Sequence, residues 1–67
     1  MRLTYDAPHD LLYIQFDASD PPVRNEDAGE GVVLDITEDG RLAGIEILDA
    51  SKVLDLRQLL PVEFATA

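Results

Sequence analysis

Five residues in the middle of the chain follow the ligand spacing of a calcium-binding EF-hand loop. Asp35, Thr37 and Asp39 alternate with other residues, Gly40 stands at the sharp turn, and Glu46 is the last ligand. Calcium prefers about six to eight oxygen ligands, which such a loop wraps around one ion. However, Thr37 replaces the usual Asp or Asn, and both flanks are strand-like where an EF-hand needs helices. We therefore expect a β-hairpin that turns at Asp39-Gly40.

Asp35 and Glu46 also form a second candidate site on that hairpin. In a regular register Asp35 lies opposite Gly44, and Glu46 lies diagonally from it. Two adjacent carboxylates could bind a divalent metal ion or divide their pKa values for acid–base chemistry. The alternative is that both are solvated on the outer face of the sheet. Gly44 is expected to admit a neighbouring side chain or to mark a bulge.

The sequence offers little for nucleophilic or cofactor catalysis. His9 is the one histidine, the chain has no cysteine, and Ser19 and Ser51 fall at loop or helix-cap positions. A nucleophile–base array needs partners that these residues lack, so His9 is expected to be an exposed turn residue. We predict no catalytic residue and no cofactor, and an enzyme is disfavoured.

The charge of the chain excludes some classes of partner and favours another. Fourteen acidic residues against five basic ones give a net charge of −9. Such a field repels nucleic acid phosphates and anionic membrane surfaces, whereas it attracts a basic protein partner. The alternative to partner binding is that the acidic residues only keep the protein soluble. With neither a long apolar span nor a signal-peptide pattern in the sequence, a cytoplasmic location is expected.

The length of the chain predicts one domain over residues 1–67. A domain of 67 residues buries little surface, and the absence of cysteine excludes disulfides and thiolate metal sites as stabilising links. Small domains of this kind often complete their core with a second copy, so a two-fold homodimer is predicted.

Alternating patterns predict an α+β fold, in which an antiparallel β-meander of four to five strands packs against one C-terminal helix. The predicted strands cover about 2–6, 11–16, 23–27 (as an edge strand), 32–37 and 42–48, and the helix about 50–60. Pairing Asp6 with Leu11 across a four-residue turn places the apolar residues of the first hairpin on one face.

The second predicted hairpin pairs Thr37 with Leu42. One face is then apolar and the other is mixed. The apolar, core face comprises Val32, Leu34, Ile36, Ala43, Ile45 and Ile47.

The helix is predicted to begin with Asp49 or Ser51 as its N-cap and to end before Pro61. A helix of this length is marginal by itself, so it must dock on the sheet or on a partner. Candidate interface residues are Tyr13 on the mixed face and, in the C-terminal region, Leu56, Leu60 and Phe64.

Several short runs of the sequence together form a recognisable pattern: Tyr5-Asp6, Leu12-Tyr13-Ile14, Phe16, Glu30-Gly31-Val32, Leu34-Asp35, Asp39-Gly40 and, most specifically, the run GIEILDAS at 44–51. These runs resemble a prokaryotic family known as domain of unknown function 2283. The resemblance covers about three quarters of the chain, and it implies a β-meander with a C-terminal helix. The activity of the family is not established. Some relatives are thought to be encoded beside small ribonuclease-like toxins, which implies an antitoxin or partner-binding role.

These observations favour a small protein-interaction module, antitoxin-like, that binds a basic protein partner. The alternative from another class is a carboxylate-based site for a divalent metal or small ligand, with Asp35 and Glu46 as the candidate ligands.

Overall fold

A computed structural model describes residues 1–58 and contains one antiparallel sheet of five strands, in agreement with the predicted α+β class. A short helix, α1, and a 3-10 turn follow the sheet. The strands are β1 (Arg2–Asp6), β2 (Leu11–Gln15), β3 (Val23–Gly29), β4 (Val32–Thr37) and β5 (Leu42–Ile47), followed by α1 (Ala50–Val53) and the 3-10 turn (Leu56–Gln58).

The register of the β1–β2 hairpin agrees with the sequence prediction. Asp6 pairs with Leu11, and the alternation then places Leu3 opposite Ile14 on the apolar face. The turn closes through the N–H of Asp10, which donates to the carbonyl of Ala7 at 3.2 Å. Alternation and turn length therefore suffice to predict this local pairing.

The order of strands across the sheet is β1-β2-β5-β4-β3. Strands β3, β4 and β5 form a meander, and the β1–β2 hairpin joins it because Leu12 pairs with Ile47 and Ile14 with Ile45. The connection at 16–22 therefore carries the chain from the middle of the sheet to its far edge. Strand β3 forms that edge, as predicted, although it extends to Gly29 rather than ending at 27.

The β4–β5 hairpin contains a bulge that the sequence did not predict. Asp35 lies opposite Gly44, as expected, but Leu42 pairs with Ile36, so the predicted Thr37–Leu42 pair is wrong. Ala43 is the extra residue, and its carbonyl accepts the N–H groups of Phe16 at 2.8 Å and Asp17 at 3.2 Å. The bulge thus connects the end of β2 to β5, which local alternation cannot reveal.

The core is smaller than the apolar pattern suggests. Leu12, Ala43 and Ala50 are the buried hydrophobic residues in the described part of the chain. Of the predicted core face, only Ala43 is buried, and the other five residues are half-buried. Asp35 and Thr37 are buried on the mixed face.

The helix predicted over 50–60 is shorter in the structure. It ends at Val53 because Leu54 adopts an extended conformation with φ −130° and ψ 148°. Asp49 occupies the predicted N-cap position but makes no side-chain cap hydrogen bond, and the alternative, Ser51, lies inside the helix. The carboxylate of Asp10 accepts the N–H of Ser51 instead, at 3.0 Å. No helix within 1–58 combines the length and the apolar character that crossing a membrane requires.

Candidate functional site

The two carboxylates singled out in the sequence lie side by side on the mixed face of the sheet. Asp35 on β4 is buried, with 6% of its surface exposed, and Glu46 on β5 is half-buried. The amide nitrogen Nδ2 of Asn25 on β3 donates to Oδ1 of Asp35 at 2.6 Å and lies 3.5 Å from Oε2 of Glu46. Three neighbouring strands therefore contribute one polar side chain each, and Tyr13 on β2, which hydrogen-bonds with Asp35, adds a fourth. We call Tyr13, Asn25, Asp35 and Glu46 the polar cluster.

Gly44 creates the space in which Tyr13 completes this cluster. A Cβ atom at Gly44 would lie 2.5 Å from the Tyr13 hydroxyl oxygen and 2.9 Å from the carbonyl oxygen of Ile14. Because any other residue would displace the ring, glycine at 44 is required by close approach of a side chain, as the sequence predicted. The ring of Tyr13 thereby packs across the strand beside Asp35.

Burial controls the acid–base behaviour of the polar cluster. Burial raises the pKa of Glu46, and the adjacent Asp35 carboxyl adds to the rise through hydrogen bonding and charge. Burial also raises the pKa of Tyr13, again with contributions from hydrogen bonding to Asp35 and from its charge. Loss of a proton from either group adds negative charge to a confined site, which favours the protonated forms of Glu46 and Tyr13.

The cluster supplies two carboxylates, one amide and one phenol, which are hydrogen-bonding groups suited to a cation or a donor-rich ligand. Within 1–58, no three His, Cys, Asp or Glu side chains are grouped closely enough to hold a metal ion. A metal at Asp35 and Glu46 would therefore need ligands of other kinds, such as the Asn25 amide oxygen or water.

A second group of polar contacts joins the first turn of the chain to the start of α1. The carboxylate of Asp10 accepts the Tyr5 hydroxyl at 2.8 Å and the Ser51 hydroxyl at 2.7 Å. Its backbone carbonyl accepts the N–H of Ala50 at 2.9 Å. The hydrogen bonds from Ser51 and Tyr5 lower the pKa of Asp10, because they stabilise the ionised carboxylate. These hydrogen bonds stabilise the fold and do not point to a reactive site, since each polar group in them has a hydrogen-bonding partner.

Acidic side chains also converge at the turn between β4 and β5. Glu38 and Asp39 line a depression of about 260 Å³ together with Pro21 and Pro22. Asp17 is close enough for the charge of Asp39 to influence its pKa, which a hydrogen bond from Ser19 lowers overall. We call this surface, together with the adjoining turn at Asp20, the acidic patch. Its carboxylates are Asp17, Asp20, Glu38 and Asp39, and the N–H of Asp20 donates to the carbonyl of Asp17 at 3.4 Å.

Other predicted residues lie apart from these groups. The side chain of His9 is 77% exposed, as expected for the turn, and its Nδ1 atom lies 2.8 Å from Oδ2 of Asp6. Leu56 is half-buried in the 3-10 turn. Leu60 and Phe64 lie outside the described residues, and the interface role of all four candidates, Tyr13 included, stays a prediction.

Comparison with known proteins shows the family of this chain. The sequence pattern of the family described as "Protein of unknown function (DUF2283)" matches residues 2–51. The chain belongs to this family. No curated protein and no solved structure matched the chain. The DUF2283 match confirms the resemblance seen in the sequence, and it spans the polar cluster as well as the Asp10–Ser51 contact.

Sequence reasoning missed Asn25, although one signal was present. Asparagine is depleted in β-strands, and at 25 it stands in a predicted strand directly before two acidic residues. An amide in such a position indicates a side chain held by specific hydrogen bonds, which the structure provides through Asp35.

Proposed function

We propose that this DUF2283 protein is a small protein-interaction module, antitoxin-like, that binds a basic protein partner through the acidic patch. The proposal rests on the pairing of the positively charged side chains with carboxylates. Four of its five Lys and Arg side chains lie within 4.0 Å of a carboxylate two or three residues away. The pairs are Arg24–Glu26, Asp39–Arg41, Asp49–Lys52 and Asp55–Arg57.

Because these cations pair with carboxylates close to them in sequence, the excess negative charge of the chain collects at carboxylate-rich surfaces such as the acidic patch. The acidic patch has four carboxylates against one guanidinium, that of Arg41, which contacts Asp39 at 3.0 Å and whose charge also acts on Asp17. The adjoining Pro21 and Pro22 offer apolar surface. A lysine or arginine from a partner can pack its aliphatic stem on such surface and direct its charged end to the carboxylates.

The test is co-expression with the protein encoded beside its gene, followed by calorimetric titration at low and high salt. We expect a complex at low salt that weakens as salt rises, because screening reduces attraction between exposed charges. Absence of a complex at low salt would overturn the proposal.

A charge-matched pair of variants identifies the surface involved. Asp20→Asn removes one charge from the acidic patch, whereas Asp49→Asn removes one beyond the opposite end of β5. Both residues have positive φ, 53° and 52°, which asparagine tolerates. We expect Asp20→Asn to raise the Kd by roughly 3-fold to 10-fold, mainly through slower association, and Asp49→Asn to leave it unchanged. Equal effects would argue against the patch.

The alternative function is a site for a divalent metal or small ligand in the polar cluster. The observation in its favour is that oxygens of Asp35 and Glu46 converge within 3.5 Å of one atom, Asn25 Nδ2, which marks the position that a cation would take if the amide turned to present its oxygen. Calorimetric titration with Ca²⁺, Mg²⁺ and Mn²⁺ separates the two functions. Saturable heat that disappears in Asp35→Asn would support the metal site, and flat titrations would remove it.

A further inference from the structure

Among the described residues 1–58, no strand pairs with the outer edge of β3. It is the last strand of the sheet, and each of its seven residues is exposed. An exposed edge strand carries unpaired N–H and C=O groups that can pair with another strand. The hydrogen bonds of the neighbouring strand, β4, determine which residues of β3 direct these groups outward.

Strand β4 directs alternate backbone groups to its two neighbours. The N–H of Thr37 donates to Arg41 and the carbonyl of Gly31 accepts from Leu48, each at 2.8 Å. Odd-numbered residues of β4 therefore face β5, and the even-numbered Leu34 and Ile36 face β3.

The partners of these two residues define the outer edge of β3. Glu26 pairs with Leu34 and Arg24 pairs with Ile36, so their backbone groups are directed to β4. The same alternation directs the N–H and C=O of Val23, Asn25 and Asp27 outward.

We propose that β3 pairs antiparallel with β3 of a second copy of the chain, with Asn25 opposite Asn25 of that copy. In this register Asn25 exchanges two N–H···O bonds with itself across a two-fold axis, and Val23 and Asp27 do so with each other. Each outward-directed group then finds a partner. The proposal is independent of the function proposed for the acidic patch.

Charge selects this register among the symmetric ones. With Asn25 on the axis, Arg24 of each copy lies opposite Glu26 of the other, and both side chains are more than half exposed. Within one chain Arg24 Nη2 already lies 3.6 Å from Glu26 Oε2, so the dimer joins two such pairs into one cluster. An axis at either Arg24 or Glu26 would instead place like charges opposite each other, which is unfavourable.

The same symmetry joins the two apolar faces. Opposed residues of an antiparallel pair lie on one side of the sheet, so a two-fold axis normal to the sheet continues each face into its equivalent. Arg24 and Glu26 pair with Ile36 and Leu34 and share their face, so the charged cluster lies where the two apolar faces meet.

The other edge strand, β1, is the rival interface. It has five residues against seven, and Leu3 and Asp6 within it are half-buried. Symmetric pairing centred on Thr4 would place Arg2 opposite Asp6, whose carboxylate already contacts His9 at 2.8 Å. Strand β3 offers more outward hydrogen-bonding groups than β1. A cysteine placed in each strand compares the two edges directly.

Single cysteines distinguish the two edges because the chain has none of its own. Directly opposed residues of two antiparallel strands have Cα atoms about 4.5–5.5 Å apart, which a disulfide spans. Under mild oxidation Asn25→Cys is expected to form a covalent dimer, and the matched variant Thr4→Cys to remain monomeric on a denaturing gel. The proposal would be overturned if Thr4→Cys cross-linked alone or as fast as Asn25→Cys. It would also be overturned if neither variant cross-linked.

Exchanging charges tests the register in the unmodified chain. Sedimentation is expected to give twice the 7.4 kDa of one chain. Arg24→Glu and Glu26→Arg should each raise the dimer Kd by about 10-fold, because like charges then oppose each other. The double variant restores opposite charges and should return the Kd to within about 3-fold of the original. A monomeric native chain, or a double variant as weak as the single ones, would contradict this register.

Discussion

Asp10 caps the helix that contains Ser51, although 41 residues separate them in sequence. Its Oδ1 accepts the Ser51 N–H at 3.0 Å, and its Oδ2 accepts the Ser51 hydroxyl at 2.7 Å. A helix N-terminus normally takes such an acceptor from the residue just before it. Here Asp49 occupies that position in a left-handed conformation, and the first turn of the chain supplies the acceptor.

Replacing Asp10 with asparagine should therefore destabilise the fold more than the same change at Asp49. Both residues have positive φ, 50° and 52°, so asparagine preserves the backbone in each case. Only Asp10→Asn removes the charge that accepts both hydrogen bonds from Ser51. We expect a loss of several degrees in Tm by thermal denaturation, against little change for Asp49→Asn. Equal losses would show that the cap contributes nothing.

The capping carboxylate should also make stability depend on acid pH. The hydrogen bonds from Ser51 and Tyr5 lower the pKa of Asp10 below its ordinary 3.8. Its stabilising effect is therefore complete above that value and is lost as the pH falls through the lower, folded-state pKa. Chemical denaturation from pH 5 downward should show a shallower decline in Asp10→Asn than in the unmodified protein. Parallel curves for the two proteins would contradict the assignment.

The contribution of Glu46 to stability should depend on pH with the opposite sign to that of Asp10. Burial and the neighbouring Asp35 raise the folded-state pKa of Glu46 above the ordinary 4.5, so the ionised form costs folding free energy at neutral pH. Glu46→Gln, which resembles the protonated acid, should raise Tm at pH 7 by a few degrees. That gain should shrink as the pH falls through the raised pKa to 4.5, because the native side chain then becomes protonated. A Tm gain that does not vary with pH would contradict this account.

Gly44→Ala should test the packing of Tyr13. The added Cβ would lie 2.5 Å from the Tyr13 hydroxyl oxygen and 2.8 Å from Cζ. Overpacking of this kind costs roughly 1–3 kcal/mol of the free energy of unfolding, measured by denaturant titration. The cost should fall in a Tyr13→Ala background, where the ring is absent, although the Ile14 carbonyl oxygen at 2.9 Å keeps part of it. An undiminished cost would place the obstacle in the backbone alone.

Both tyrosines should ionise above their ordinary pKa of 10.0, for different reasons. A hydrogen bond to Asp10 is the main cause that raises the pKa of Tyr5, whereas burial is the main cause for Tyr13. In an ultraviolet titration of tyrosinate, Asp10→Asn should shift only the Tyr5 transition toward lower pH. Tyr13→Phe should leave the Tyr5 transition unchanged and so identifies it. A shift of both transitions in Asp10→Asn would show that the sites are coupled.

Local pattern predicted much of the sheet and the central pair of its polar cluster. Alternation and turn residues were enough for the Asp6–Leu11 pairing and for Asp35 opposite Gly44, because each lies within one hairpin. The same register brings Asp35 and Glu46 together on one face of that hairpin. Asn25 was missed because the weak alternation of β3 fixes no register for its pairing with β4.

The sequence alone determined the strands, the faces of the two hairpins apart from the bulge at Ala43, and the acidic charge, since these depend on neighbouring residues and on composition. Only the tertiary structure decided that β2 lies beside β5, which leaves β3 as an edge strand of the described sheet. It also decided that Asp10 caps a distant helix and that Asp35 is buried beside Tyr13. These relationships join segments far apart in the chain, and their free energy comes from packing and hydrogen bonds that no local periodicity records.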